Sequence, residues 1–160
     1  EEILRASPGV TETVVGYTCG LIPDATYEQV KRGDTGHAES IEVTFDPKKI
    51  SYEDLLGFFF RLHDPTTLNR QGNDIGTQYR SAIYYHNESQ RLAAEKSKAE
   101  IATHHTKPIA TEITVFQKFY PAEDYHTDYF NLHGENPYCS SVVAPKVQKF
   151  RQKFASKLKN

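Results

Sequence analysis

The sequence predicts a single α+β domain in which helices cover a sheet in two layers. Three observations favour this class. Segments with the two-residue period of strands alternate with segments that have the 3.6-residue period of helices, turn-forming residues separate them, and no internal repeat occurs. The length of 160 residues suits one domain, assigned to residues 1–160. The longest apolar run is far shorter than the ~20 residues that a membrane-spanning helix needs.

The first part of the chain should form a short helix and two strands. Residues 1–7 resemble the second half of an amphipathic helix that ends at Pro8. Because no N-cap residue precedes this helix, we expect the chain to be a fragment or a processed product. Residues 10–18 alternate as a strand, and residues 19–36 should hold at most one helical turn. The next strand begins at about Glu39.

This second strand suggests a chemical role for its first residue. Ile41, Val43 and Phe45 share one face, and the same phase places Glu39 on that face. A carboxyl that is desolvated by an apolar face has a raised pKa and can remain protonated as a general acid. The alternative is a glutamate at a strand edge that turns back to the solvent.

A helix and a long loop follow the second strand. Ser51 and Asp54 form a capping-box pattern at the start of a helix that should reach residue 62. Residues 63–78 lack periodicity, and loops of this length in compact domains are usually functional. After this loop we expect a strand over 79–86, a helix over 87–105 capped by Asn87, and a strand over 110–117. The last elements should be a short aromatic-rich helix that opens at Tyr120 and a basic amphipathic helix over 145–160.

Charge and cysteine content narrow the function. With 19 basic and 21 acidic residues the net charge is −2, which argues against a nucleic-acid partner. Two cysteines are too few for a disulfide scaffold and fit a reducing compartment, so we expect a cytoplasmic protein. Four histidines and one cysteine could suggest a zinc site, but their spacings match no usual one, so we predict no metal. These residues are His104, His105, His126, His133 and Cys139.

Three long strings carry a resemblance to a known family. They are TYEQVKRGDTGHAES at 26–40, FFFRLHDPTTLNRQGNDIGTQYRSAIYY at 58–85 and FYPAEDYHTDYF at 119–130, and the similarity continues almost end to end. They resemble the peptide methionine sulfoxide reductase A family. The resemblance implies a ferredoxin-like sandwich with a mixed sheet, an irregular C-terminal segment and a terminal helix. It also implies thiol-dependent reduction of the S epimer of methionine sulfoxide, free or in proteins, as a repair of oxidative damage.

The same resemblance implies roles for four residues. Glu39 corresponds to the acid that protonates the sulfoxide oxygen, and Tyr27 and Tyr79 correspond to tyrosines that donate hydrogen bonds to it. Asp74 corresponds to a loop aspartate that organises the site. Any one of the ten tyrosines taken alone is more often a packed residue, and Asp74 could simply hold its own turn.

The thiols of the family match this chain only in part. The family's nucleophile lies in a Gly-Cys-Phe-Trp motif, which the chain lacks and which the spacing would put a few residues before Glu1. We therefore expect the 160 residues alone to be inactive. Cys139 falls in the region of the family's resolving cysteine. Cys19 stands where the family more often has glycine, and is either a bystander or an alternative resolving thiol.

The resemblance also implies partners. We expect no bound cofactor, with thioredoxin or dithiothreitol as the external reductant and oxidised proteins or free methionine sulfoxide as substrates. We expect a monomer with no nucleic acid or membrane partner. The alternative class is a pseudoenzyme without a nucleophile that binds methionine sulfoxide or a partner protein.

Overall fold

The computed structural model describes residues 1–123, 135, 137, 140–141 and 144–153, except the side chains of residues 150 and 153. It confirms the α+β class. Within these residues no helix is both long and apolar enough to cross a membrane. The helices are α1 Glu2–Arg5, α2 Tyr27–Lys31, α3 Tyr52–Leu62, α4 Glu88–Ala102 and α5 Ala144–Lys153. The strands are β1 Val10–Thr18, β2 Ala38–Phe45, β3 Arg70–Gln71, β4 Asp74–Ile75, β5 Ala82–Tyr85, β6 Glu112–Val115 and β7 Phe119–Pro121.

Side-chain caps start the three central helices. The Ser51 hydroxyl of α3 accepts a hydrogen bond from the Asp54 N–H at 3.0 Å, and the Asp54 carboxylate accepts one from the Ser51 N–H at 3.4 Å. Asn87 caps α4 through the Gln90 N–H at 2.9 Å. Both caps confirm the sequence predictions. Helix α2 begins with a further capping box, which was not predicted, between Thr26 and Gln29.

Strand β1 lies between β2 and β7 and pairs antiparallel with both. Its Tyr17 is opposite Glu39 in β2 and opposite Tyr120 in β7. Strands β5 and β6 are parallel, with Ile83 opposite Ile113, and α4 is the crossover between them. Among the described residues, the parallel and antiparallel pairs therefore hydrogen-bond in separate ladders rather than in one mixed sheet.

Helix α3 joins the two principal parts of the core. One of its faces packs toward β1, and the other packs toward β5 and α4. Truncation of a buried phenylalanine on either face to alanine costs about 3–5 kcal/mol of unfolding free energy, so α3 stabilises both halves of the domain. The first cluster is Val10, Ile50, Leu55 and Phe58, and the second is Leu56, Phe60, Ile83 and Ala94.

Two segments differ from the sequence prediction. The long loop contains the hairpin β3–β4 and a 3-10 turn over Thr77–Tyr79. Tyr120 and Pro121 lie in strand β7 rather than at the start of an aromatic helix, because they pair with β1 about a hundred residues earlier. Most of the expected helix lies outside the described residues.

The terminal helix α5 packs near the start of the chain. Val147 is buried, as the predicted apolar stripe requires, and the Arg151 guanidinium pairs with the Glu2 carboxylate at 2.7 Å. The remaining stripe residues lie outside the described side chains.

Candidate active site

Glu39 lines a large cleft between the β1–β2 ladder and α3. The cleft has a volume of about 740 Å³ and a mostly apolar lining. Ile41, Val43 and Phe45 line it together with Glu39, as the strand phase predicts, although Ile41 remains 37% exposed. Ser40 and Glu42, in the opposite phase, also reach the cleft, so the alternation of β2 does not separate two clean faces.

The environment of Glu39 favours the protonated acid. The residue remains accessible to solvent, but protein atoms crowd around its carboxyl group. This desolvation is the main reason that its pKa rises from the ordinary 4.5 to about 7, and the negative charge of Asp74 adds to the rise. The direction agrees with the sequence prediction. The contribution of Asp74 could not be inferred from the strand pattern.

Tyr79 lies in the 3-10 turn and lines the same cleft. Burial raises its pKa to about 12, and the charges of Glu39 and Asp74 add to this rise, followed by that of Tyr27. A phenol with such a pKa stays protonated at any physiological pH and can donate a hydrogen bond. The other three residues to which the resemblance assigns roles, Glu39, Asp74 and Tyr27, all contribute to the shift of the Tyr79 pKa.

Tyr27 and Asp74 affect the pKa of Tyr79 from outside the cleft, since neither residue lines it. Tyr27 is the first residue of α2, and its backbone N–H donates to the Glu123 carboxylate at 3.0 Å. Asp74 is in the hairpin β3–β4, where Gly72 adopts a φ of +56° in the turn. The hairpin, not the strands of the core, thus brings the second carboxylate near Glu39.

Residues on either side of Tyr79 anchor the turn that carries it. Gln78 is buried and donates from its amide nitrogen to the Lys31 carbonyl at 3.1 Å. Arg80 donates from Nη2 to the Gly36 carbonyl at 3.0 Å. Their positions inside the string GTQYRS were the only sequence signal for them, and the chemistry of the residues gave no reason to select them.

A chain of hydrogen-bonded polar groups borders the cleft. His63 Nδ1–H donates to the Phe59 carbonyl at 2.6 Å, and its Nε2 is 2.7 Å from the Ser81 hydroxyl. The Ser81 hydroxyl is 2.7 Å from the Thr111 hydroxyl. Burial is the main cause that lowers the pKa of the His63 imidazole. His63 and Ser81 both line the cleft, and sequence reasoning did not select either.

The structure describes one of the two cysteines, Cys19. Cys139 lies outside the described residues. Cys19 follows β1 with a φ of +60°, a left-handed conformation that glycine adopts most easily. Its Sγ is 3.7 Å from the Thr18 hydroxyl and 3.9 Å from the Val115 carbonyl. Cysteine therefore occupies a backbone conformation that glycine would adopt at lower cost.

Comparison with known proteins identifies what this chain resembles. A family model described as "Peptide methionine sulfoxide reductase" matches residues 1–158. The peptide methionine sulfoxide reductase MsrA of Saccharolobus solfataricus is 50% identical over 159 residues, which cover 99% of this chain and 90% of the relative.

Solved structures show the same similarity. The crystal structure of Mxr1 from Saccharomyces cerevisiae in reduced form superposes with a TM-score of 0.78 at 38% identity, and covers 82% of this chain and 76% of that one. The structure of Mxr1 in complex with Trx2 superposes with a TM-score of 0.52 at 27% identity, and covers 76% of this chain and 67% of that one.

Proposed function

Because the chain belongs to the peptide methionine sulfoxide reductase family, we propose that it reduces the S epimer of methionine sulfoxide, in proteins and as the free amino acid, with Glu39 as the general acid. The observation that carries this proposal is the pKa of about 7 at Glu39, in the cleft that Tyr79 also lines. At pH 7 such a carboxyl is about half protonated, whereas an ordinary glutamate has lost its proton.

The first chemical step needs a thiolate and a proton. The thiolate attacks the sulfoxide sulfur and forms an S–S bond, Glu39 gives its proton to the sulfoxide oxygen, and the S–O bond breaks so that the oxygen leaves as hydroxide. Hydroxide or water then attacks the cysteine sulfur and the S–S bond breaks, which leaves a sulfenic acid on the cysteine and releases methionine. Tyr79 in the cleft and Tyr27 beside it donate hydrogen bonds to the oxygen as charge develops on it, and the charge of Asp74 adds to the desolvation that favours the protonated acid.

We place the attacking thiol on a cysteine upstream of Glu1, following the spacing of the family's Gly-Cys-Phe-Trp motif. The support for this placement is that Glu1 and Glu2 line the same cleft as Glu39. Residues that precede Glu1 in a longer chain would therefore start at the wall of the reaction site.

The second step removes the oxygen as water. A resolving thiol, for which we propose Cys139, attacks the sulfenic acid and forms a disulfide. A reduced dithiol such as thioredoxin then opens this disulfide by exchange. Support for thioredoxin as the reductant comes from the similarity to Mxr1, which has been solved in complex with Trx2.

The experiment compares two proteins with dithiothreitol as reductant. One is the 160-residue chain, and the other is the natural protein extended upstream through the family's cysteine. Each receives the S and the R epimer of N-acetylmethionine sulfoxide. We expect turnover of the S epimer by the extended protein only, and loss of turnover when its upstream cysteine becomes serine. Turnover by the short chain would contradict the upstream thiol. Natural serine or alanine at that upstream position, with sulfoxide binding retained, would support the pseudoenzyme instead.

A further inference from the structure

The turn that carries Tyr79 is attached to the segment that leads to Glu39 by three side chains. The Thr77 hydroxyl donates to the Gly33 carbonyl at 3.4 Å. The Gln78 amide donates to the Lys31 carbonyl at 3.1 Å, and Arg80 Nη2 donates to the Gly36 carbonyl at 3.0 Å. Residues 31–36 begin at the last residue of α2, whose first residue is Tyr27, and end two residues before β2. The turn is therefore hydrogen-bonded to the backbone at both ends of this connection, at Lys31 and at Gly36.

Of the three side chains, Arg80 makes the most hydrogen bonds, since each of its three side-chain nitrogens donates. Nε donates to the Glu112 carboxylate at 3.0 Å, and Nη1 donates to the Thr77 carbonyl at 2.8 Å. Besides Gly36, Nη2 donates to the Tyr84 hydroxyl at 3.3 Å, which in turn donates to Glu112 at 3.3 Å. The Arg80 side chain is only 16% exposed. A planar guanidinium is suited to such a set of acceptors, because its donors have fixed directions.

These contacts join the two catalytic side chains through their backbones. Gly36 lies three residues before Glu39, and Thr77 lies two residues before Tyr79. Glu112 anchors the same guanidinium to β6. Within the described residues, Arg80 makes no hydrogen bond to Glu39 or Tyr79 themselves, so it acts on them only through the segments that carry them.

We propose that Arg80 is a positioning residue that sets the distance between the Tyr79 phenol and the Glu39 carboxyl for sulfoxide reduction. This inference rests on the proposed function. Arg80 lines the cleft, but its side-chain nitrogens donate to protein acceptors. Displacement of reacting groups by about 1 Å can cost about 10²-fold in rate, so loss of this anchor should have a large effect on the reaction.

The first test needs no turnover. Arg80→Ala and Arg80→Lys are made in the 160-residue chain, and the pKa of Glu39 is followed by NMR of side-chain-labelled glutamate, with thermal unfolding as the check on folding. If the turn withdraws, water reaches the carboxyl, and its pKa should fall from about 7 toward 4.5 in Arg80→Ala and by less in Arg80→Lys. Arg91→Ala is the matched control, because Arg91 also pairs with glutamates, but on the outer surface of α4.

The second test uses the extended protein and the S epimer of N-acetylmethionine sulfoxide. Arg80→Ala should lower kcat by about 10-fold or more with a small change in KM, and Arg80→Lys should recover part of the loss. Folded Arg80→Ala protein that keeps both the Glu39 pKa and kcat would overturn the proposal. So would failure of both Arg80 variants to fold, which would assign the residue to stability alone. If wild-type extended protein reduces no sulfoxide, the proposed function fails, whereas the Glu39 pKa still decides whether Arg80 sets the site geometry.

Discussion

Glu39 in the cleft and Glu88 on the surface of α4 carry the same carboxyl group in opposite electrostatic environments. The pKa of Glu88 is lowered from its ordinary value, chiefly because the Arg91 guanidinium donates hydrogen bonds to it. The pKa of Glu39 is raised to about 7 by desolvation and by the negative charge of Asp74. One region of the molecule stabilises a charge, and the other stabilises a bound proton.

The contrast shows that the neighbours of a carboxyl group, rather than the group itself, decide its chemistry. On α4, one arginine lies within hydrogen-bonding distance of two glutamates, Glu88 and Glu95. Around Glu39, the negative charge of Asp74 adds to desolvation, and no cation contributes to the shift of the Glu39 pKa. Arg80 is held nearby, but its donors are directed to Glu112, Tyr84 and two carbonyls.

The largest effect should come from removal of the proton donor. In the extended protein, Glu39→Gln should slow single-turnover reduction at pH 7 by about 10²-fold or more, with sulfoxide binding retained, since loss of a general acid has effects of this size. The defect should shrink at low pH, where solvent supplies protons. Glu88→Gln should leave the rate unchanged. Equal rates for Glu39→Gln and wild type at pH 7 and above would remove Glu39 from this role.

The next effect concerns the second carboxylate. Asp74→Asn removes the negative charge that favours protonation of Glu39, so the Glu39 pKa should fall below about 7 but stay above 4.5, because desolvation is the larger cause. The acid acts when protonated, so the alkaline fall of the pH–rate profile should move to lower pH. Glu95→Gln on α4 is the control. A profile that does not move in Asp74→Asn would show that Asp74 has no electrostatic role.

Gly76 in the turn of Tyr79 and Gly57 in α3 differ in the space that is available for a side chain. Gly76 begins the turn of Tyr79 with a φ of +152°, and a Cβ there would clash with Oε1 of the buried Gln78. Gly76→Ala should therefore cost about 1–3 kcal/mol of unfolding free energy. Gly57 lies in α3 with no atom within 4 Å of an added Cβ, so Gly57→Ala should add about 0.5–1 kcal/mol. Chemical denaturation measures both values, and a stable Gly76→Ala variant would contradict this account of the turn.

The smallest effect is on the pH dependence of stability. The pKa of Glu39 is higher in the folded state than its ordinary value, so the folded state binds the proton more tightly, and stability is lost as pH rises from 4.5 through about 7. Glu39→Gln should remove this loss and raise Tm slightly at pH 8 relative to wild type, with little gain at pH 4. The gain should be small because the residue is accessible to solvent. A lower Tm for Glu39→Gln at pH 8 would contradict it.

Local sequence patterns predicted the parts of the fold that depend on neighbouring residues. Strand β1 was predicted over the same residues, 10–18, and the caps of α3 and α4 follow from residues three positions apart. Strand β7 and the hairpin β3–β4 were missed, because strands of two or three residues are too short to show an alternation. The pairing of β7 with β1 depends on contacts across about a hundred residues.

The candidate site shows the same division. The phase of β2 raised the possibility of a desolvated carboxyl at Glu39 with a solvent-facing glutamate as the alternative, and the resemblance favoured the acid and added Tyr27, Tyr79 and Asp74. The support for the site was not predictable from local patterns, since Arg80 binds the Gly36 carbonyl 44 residues away and Glu112 32 residues away. Such an anchor has no period and appears only when the chain is folded.

The hydrogen bonds that link His63, Ser81 and Thr111 must all run in one donor-to-acceptor direction, and acidification would reverse that direction. A carbonyl can only accept, so Phe59 requires the proton of neutral His63 to be on Nδ1, and Nε2 must accept from Ser81, which accepts from Thr111. Protonation of Nε2 would reverse both hydroxyls together, and the Thr111 hydroxyl, in a fully buried residue, would need a different acceptor. Acidification below the ordinary His63 pKa of 6.5 should therefore loosen α3, β5 and the entry to β6 as one unit, which amide exchange at these three elements would detect as a simultaneous rise.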